Sequence, residues 1–364
     1  MPLRQRVDPP AGLQGARTSR PTLTLLPLED ADWLGFVSGR PEATPFHHPA
    51  WARLLADAYG YRAFALAIRG GDGRPVGGAP FLEVRGLAGR RRWVSLPFTD
   101  HCPALAADQP AADALVTAFG GAHAALGAPD LELRAPVDAL GWRTNIGAVI
   151  HVLDIDPDPA TVERRFSRSQ VIRNIRRAER EGVGVRTATS AVELDAFYGL
   201  HARTRQRQGV PVQPRKFFDL IWSRLVEPGL ASILLASAGG APLAGALFLH
   251  WNGTTIYKFG ASDSEGLPLR PNHALFWTAI QESCARSDRE FDFGRTDLGN
   301  EGLRRFKSGW GGVERPLVYS SLAPGAAEGR EGRAARAASV VIKRGPPWVG
   351  RAVGATLYRY AGSR

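Results

Sequence analysis

Apolar residues fall in short runs separated by turns rich in Gly and Pro, and one such arrangement occurs twice. Residues 63–68 and 76–84 flank a turn at Gly73 and Pro75, and residues 232–238 and 243–251 flank one at Gly240 and Pro242. Runs of strand length bounded by such turns predict hairpins. Gly73, Pro75, Gly78, Ala79 and Phe81 recur 167 residues later as Gly240, Pro242, Gly245, Ala246 and Phe248. Upstream of each turn, residues 50–58 and 215–226 carry the spacing of an aromatic amphipathic helix. Gly, Ala and Pro are abundant enough for coincidence, but the same flanking order on both sides favours duplication. A repeat at this distance is a duplicated domain, not a solenoid.

The second copy is the more legible. Residues 183–187 read as a strand, 191–208 and 215–226 as helices, and the hairpin follows. Next come a strand at 254–261 and a helix at 271–287 with Pro271 in its first turn, where a missing N–H costs nothing. Residues 290–293, 302–308 and 314–321 predict a strand, a short helix and a closing strand. The first copy follows this order loosely from Thr22 to Leu153, with strands near 93–96, 131–133 and 148–153. Helices before an antiparallel hairpin, then a βαβ, predict an α/β fold with a mixed sheet and helices on both faces. Such sheets take ligands beyond their strand ends. The expected organisation is two tandem domains, residues 22–160 and 161–322. Residues 1–21 lack the apolar core of a signal peptide and read as a disordered lead.

Within residues 228–257 no side chain carries a formal charge, and 230–251 is long enough to cross a bilayer as a helix. Gly239-Gly240-Ala241-Pro242 breaks it into two strand-length halves, so two strands explain it better. After a linker rich in Ala, Gly and Arg, residues 340–344 and 348–360 form a basic, aromatic tail interrupted by Pro346 and Pro347. The tail can lie on an anionic membrane or pack on the body. Its narrow apolar face favours packing, with peripheral membrane contact at most.

Composition is globular, with 44% apolar and 22% charged residues, which excludes disordered and collagen-like classes. The net charge of +11 favours an anionic partner, although 42 arginines against four lysines is also what a GC-rich genome gives. Cys102 and Cys284 have no CxxC spacing, and a reducing cytoplasm fits them. There is no Ser-His-Asp order, HExxH or P-loop, so neither a covalent nor a metal mechanism is expected.

Five stretches carry a resemblance. Ser169-Gln170-Val171-Ile172-Arg173-Asn174-Ile175-Arg176-Arg177-Ala178 leads into Gly182-Val183. Thr204-Arg205-Gln206-Arg207-Gln208-Gly209 has a TxxRxG form. Tyr257-Lys258-Phe259-Gly260-Ala261-Ser262 precedes Pro271-Asn272-His273. Phe291-Asp292-Phe293-Gly294-Arg295 and Gly302-Leu303-Arg304-Arg305-Phe306-Lys307-Ser308-Gly309-Trp310-Gly311 close the chain's second half. With the element order, these resemble the GNAT acyltransferase superfamily and, in their duplication, the FemABX peptidyltransferases, over roughly Thr22 to Leu322. The resemblance implies two tandem GNAT-like domains. It also implies transfer of an aminoacyl group from aminoacyl-tRNA to an amine, on a peptidoglycan precursor, another envelope molecule or a peptide-like natural product.

Relatives with this fold use acyl-CoA, whose pyrophosphate is held by a QxxGxG-type loop at a helix N-terminus. The corresponding Glu265-Gly266-Leu267-Pro268-Leu269-Arg270-Pro271-Asn272-His273 has one glycine and two prolines, and Gly86-Leu87-Ala88-Gly89 in the first copy lies too early. The missing cradle favours a tRNA donor, as does the basic charge. Acyl-CoA remains the alternative donor, and a non-catalytic protein that binds RNA or an envelope precursor is a third reading.

The resemblance places Lys307 at the reacting carbonyl, where a cation stabilises the oxyanion; the competing reading is a surface lysine at a helix end. Arg207 matches an arginine that holds acceptor phosphates, a task its fork suits, or it belongs to a solvated helix face with Arg203 and Arg205. Asp100, or His101 as the better base at neutral pH, manages the acceptor's proton, with turn capping by Asp100 the rival reading. Arg173, Arg176, Arg177 and Arg180 form one helical stripe, opposite Val171, Ile172, Ile175 and Ala178. That stripe is either a phosphate-tracking surface or the polar face of an amphipathic helix. Phe306, Tyr257 and Asn272 are expected at the substrate site. His47, His48 and Trp51 can line an interdomain cleft, against core packing of Trp51. Asp292 is expected in a buried Asp–Arg pair with Arg295.

Overall fold

The computed structural model describes residues 22–86, 89–323, 342–343, 346, 350–354 and 358. The lead at 1–21, nearly all of the linker, most of the tail, and Leu87 and Ala88 lie outside the described residues. The chain runs β1 (Leu23–Leu26), α1 (Ala31–Ser38), α2 (Pro49–Tyr59), β2 (Arg62–Arg69), β3 (Pro75–Arg85), β4 (Arg91–Val94), α3 (Gln109–Gly120), α4 (Ala122–Leu126), β5 (Asp130–Leu133) and β6 (Arg143–Asp154). It continues through α5 (Pro159–Glu163), a π-helical turn (Arg168–Ile172), α6 (Arg173–Arg180), β7 (Gly184–Thr187), α7 (Ala191–Gln208), α8 (Arg215–Ile221) and a second π turn (Trp222–Val226). Then come β8 (Ala231–Ala238), β9 (Ala241–Trp251), β10 (Thr254–Ser262), α9 (Pro271–Ala285), β11 (Glu290–Asp292), α10 (Glu301–Ser308) and β12 (Val313–Leu322).

These strands form one mixed sheet in the order β1-β2-β3-β4-β5-β12-β6-β11-β10-β9-β8-β7, with short strands at Leu105–Ala106 and Thr296–Asp297 on its margins. Each strand of the first half has its counterpart six strands later. Among the described residues the only parallel neighbours are β4 with β5 and β10 with β11, in matching places. The closing strands change sides: β6 pairs with β11, and β12 pairs with β5. They then pair with each other along the centre, from Val313 opposite Val152 to Ser321 opposite Arg143. The duplication is therefore present as a pseudo-twofold inside one sheet.

Gly78 and Gly245 occupy equivalent places in β3 and β9, and close approach explains both. A Cβ on Gly78 would meet Leu66 O at 2.7 Å and the Trp33 ring at 2.9 Å; one on Gly245 would meet the Phe197 ring at 2.7 Å. In each copy a helix aromatic thus rests directly on the strand backbone. The stretch that imitates a membrane span is the β8–β9 hairpin, turned by Gly239 and Gly240 at φ 63° and 89°. Among the described residues no helix is long and apolar enough to cross a membrane.

Local signals set the helix ends. Ser190 and Glu193 form a capping box on α7, which stops at Gly209 in the left-handed region (φ 69°). The helix expected over 215–226 is α-helical only to Ile221 and finishes as the second π turn. The core unites the copies on one face of the sheet. There α2 packs on α8, with Tyr59 stacked on Phe217 at 5.7 Å and Trp51 edge-on to it at 6.4 Å. Further clusters lie apart, around Phe81 and Phe119 in the first half, around Phe276, Phe293 and Trp310 in the second, and a small one of Ala148, Ile150, Val152 and Leu317 on the central strands.

Candidate active site

Three segments converge where the halves meet. The loop after β4 is bent by Leu96 and Phe98, both at positive φ (66° and 60°), and delivers Asp100 and His101. Strand β10 brings Lys258. The third segment leaves β11 at Asp292 and turns through Gly294, at φ 70°, whose missing Cβ would lie 2.6 Å from Tyr257 O and 3.5 Å from Asp100 Oδ2. Glycine is required there on both counts.

Lys307, from the end of α10, lies beneath this turn with 1% of its surface exposed, and its Nζ donates to Gly294 O at 2.7 Å and Arg295 O at 3.1 Å. The surface-lysine alternative does not describe it. Burial lowers its pKa to about 8, against the opposing pull of Asp100 and Asp292. Asp100 experiences the reverse balance. Burial would raise its pKa, but Lys258, His101 and Lys307 outweigh that and hold it below the ordinary carboxylate value. Lys258 Nζ lies 3.4 Å from Asp100 Oδ1, and its ammonium sits 5.2, 5.6 and 5.7 Å from the centres of the Phe46, Trp51 and Phe259 rings.

Asp292 is buried as expected, but its partner is different. It accepts from Gly294 N at 2.7 Å and faces His101 Nδ1 at 3.7 Å, while Arg295 turns outward to Asp297 and the Tyr319 hydroxyl. Burial raises the Asp292 pKa. The Tyr319 hydroxyl in turn donates to Asp100 O at 2.9 Å, tying β12 to the loop.

Asp100, Lys258, Gly294 and Arg295 line a cleft of about 340 Å³, together with Arg205, Tyr257 and a group of aromatic rings. Tyr257 is among the expected residues, and burial raises its pKa to about 12. Several others lie elsewhere. His47 is fully buried, its ring nitrogens bonded to Pro103 O and to Thr44, and Trp51 is 1% exposed and bonded to Thr99 Oγ1. Neither lines the cleft, although the Trp51 ring supports Lys258. His48 caps α2 by accepting from Ala50 N. Phe306 packs against Phe276 and His273. Arg207 is exposed and folded back on Ser262 O and Thr204 Oγ1, whereas Arg205 reaches the cleft. The sequence reading missed Lys258 as a site residue. Its signal was the scarcity of lysine that drew attention to Lys307.

Arg173 and Arg176 line a separate groove of about 530 Å³ with Arg164, Arg168 and Arg180, over a floor that includes Phe166 and Ile172. It adjoins the end of α10, where Ser167 N donates to Gly309 O. Asn272 stands in the first turn of α9. Around it the amides of Leu269, Arg270, His273 and Ala274 bond to carbonyls of the same turn, and Pro268 and Pro271 have none. Over residues 265–274 only Gly266 and Asn272 keep amides without a partner among the described residues, and they are six residues apart, so the helix start offers no run of adjacent free amides for an anion cradle. In the tail, Tyr358 packs on Tyr59 and Phe98, its hydroxyl linked to Arg205 and Pro211. No metal cluster occurs among the described residues.

Duplicated mixed α/β halves joined through one sheet, with a polar cleft at their junction, make a tandem GNAT-like fold. Residues 165–308 match the family model described as an acetyltransferase (GNAT) domain. Over the whole chain the fold is FemABX-like. It is similar to the crystal structure of FemX, with TM-score 0.63 and 18% identity over 82% of this chain and 96% of that one. It is also similar to the C-terminal domain of a putative lysylphosphatidylglycerol synthetase from Agrobacterium fabrum, with TM-score 0.54 and 12% identity over 85% and 95% of the two chains. A conserved protein of unknown function from Bacteroides thetaiotaomicron gives TM-score 0.54 and 12% identity, over 83% and 99%. At these identities the likeness establishes the fold. Curated proteins give no significant sequence match.

Proposed function

We propose that the protein is an acyltransferase that forms an amide bond by moving an aminoacyl group from aminoacyl-tRNA to an amine held in the cleft. The start of α9 carries the proposal: two prolines and self-bonded amides leave no cradle for the pyrophosphate of an acyl-CoA. The five-arginine groove beside α10 supports it, because phosphate contacts supply most of the affinity for RNA-sized partners. A second reading, acyl-CoA as donor, has the acetyltransferase family match in its favour.

In the reaction the amine nitrogen attacks the ester carbonyl, a C–N bond forms and the C–O bond to the ribose breaks. The amine gives up one proton and the ribose hydroxyl gains one. Asp100, kept ionised by Lys258, accepts the hydrogen bond of the incoming amine and orients it. Lys307 stands behind the Gly294–Arg295 wall, where its charge stabilises the developing oxyanion as a fixed, water-excluded dipole or cation does. Holding both partners supplies the remaining advantage. A transfer assay with charged tRNAs and acyl-CoAs in parallel, reading the mass added to an amine library, tests this. Transfer from CoA alone would refute the donor assignment.

A further inference from the structure

The cleft is small, and its charges are unevenly matched. At about 340 Å³ it lies at the lower end of small-molecule pockets, which run ~300–1,000 Å³. Part of its wall is Tyr358, whose carbonyl accepts from the Tyr61 hydroxyl at 2.8 Å and whose hydroxyl accepts from Arg205 Nη2 at 3.0 Å. Among the described residues Asp100 is the one carboxylate of the lining, which also carries Arg205, Lys258 and Arg295. Lys258 is matched by Asp100 and Arg295 by Asp297. Arg205 has no carboxylate within ion-pair distance among the described residues, and its Nε is buried without a hydrogen-bond partner. Arg205 as a whole is half-buried, and a guanidinium N–H left dry and without a counter-charge favours a ligand that supplies one. The same lining carries the aromatic rings of Phe98, Phe259 and Tyr358.

From this arrangement we infer that the acceptor is a small zwitterion of amino-acid to dipeptide size with an aromatic or apolar side group. Its amine lies at Asp100, its carboxylate at Arg205 and its side group against the aromatic faces. The inference rests on the reading of the cleft as the acceptor site of an N-acyltransferase.

Binding without any donor tests it. Calorimetry on the full chain would be run with the standard amino acids and with phenylalanine-containing dipeptides, and then with the amide and the N-acetyl derivative of the tightest binder. Binding by aromatic or apolar members, weakened at least tenfold by either blocking group, is expected. Arg205→Met should weaken the parent at least tenfold while leaving binding of the amide unchanged, with folding verified by its melting temperature. The proposal is overturned if no member binds at 10 mM, if the blocked compounds bind as well as the parent, or if a uridine nucleotide sugar binds more tightly. Because no donor is present, a CoA-dependent outcome in the transfer assay leaves this result standing. Aminoacyl transfer to a nucleotide-linked amine would overturn this inference alone.

Discussion

Replacing Lys307 with Met separates two consequences of burying one charge. Its side chain is 1% exposed, and its pKa falls from 10.5 to about 8 because burial outweighs Asp100 and Asp292. At ~1.4 kcal/mol per unit the wild type carries a penalty of about 3 kcal/mol while the lysine is charged. Below pH 8 both folded and unfolded chains hold that proton, and the penalty is present in full. Between about 8 and 10.5 the unfolded chain binds more protons than the folded one, so stability rises with pH. Lys307→Met removes this dependence, although it also leaves Gly294 O and Arg295 O without their donor at every pH. Urea unfolding of both proteins at pH 7, 8, 9 and 10 reads the effect, since titrating groups that do not interact with Lys307 cancel in the difference. The stability of wild type minus variant should increase by roughly 2.5 kcal/mol across that range. For catalysis, a unit charge ~6 Å from an oxyanion at an effective dielectric of ~20 contributes ~3 kcal/mol, so kcat/KM should drop about 10²-fold. Lys307→Arg should restore only part, because its planar head places the charge elsewhere. A stability gap that is the same at pH 7 and pH 10, or full activity in folded Lys307→Met, would refute the reasoning.

Gly294→Ala should destabilise by ~2 kcal/mol or more, from a positive φ and a contact at 2.6 Å with Tyr257 O, and should abolish transfer by moving the carbonyl that Lys307 holds. Thermal melts and initial rates check it, and near-wild-type values in both would contradict the geometry. Gly78→Ala should cost more than Gly245→Ala in denaturant unfolding, because its closest obstacle is the rigid Leu66 carbonyl rather than the Phe197 ring. Lys258→Met should raise the acidic limb of the pH–rate profile, since Asp100 loses the cation that most lowers its pKa; Lys258→Arg should restore it in part. His47, His201, His250 and His273 are buried and neutral, with pKa values lowered by burial to about 4, 3, 3 and 4. The unfolded chain therefore takes up their protons first as pH falls below 6.5, and each should remove about 1 kcal/mol of stability by pH 5.5. A denaturation midpoint that stays constant from pH 7 to 5.5 would contradict this.

Much of the molecule was written locally. The apolar runs and turn residues predicted α7 at its observed bounds, and the β8–β9 hairpin and α9 to within two residues, because period, capping and turn chemistry act between near neighbours. The duplication was equally legible, since Gly78 and Gly245 answer to the same close approach of a helix ring. Helix α3, rich in alanine with little polar contrast, was not read from the sequence. The exchange of β6 and β12 between halves left no trace in either strand, because which edge a strand joins depends on distant partners. The same holds for the site. Motif residues placed Lys307 and Asp100 together, yet Lys258 pairs with Asp100 across 158 residues, and Asp292 chose His101 over its neighbour Arg295. An ion pair is set by what packing brings within a few ångströms once water is excluded. The sequence determined the elements and their repeat, and only tertiary packing decided which charges meet, which are buried and which were left facing an open cleft.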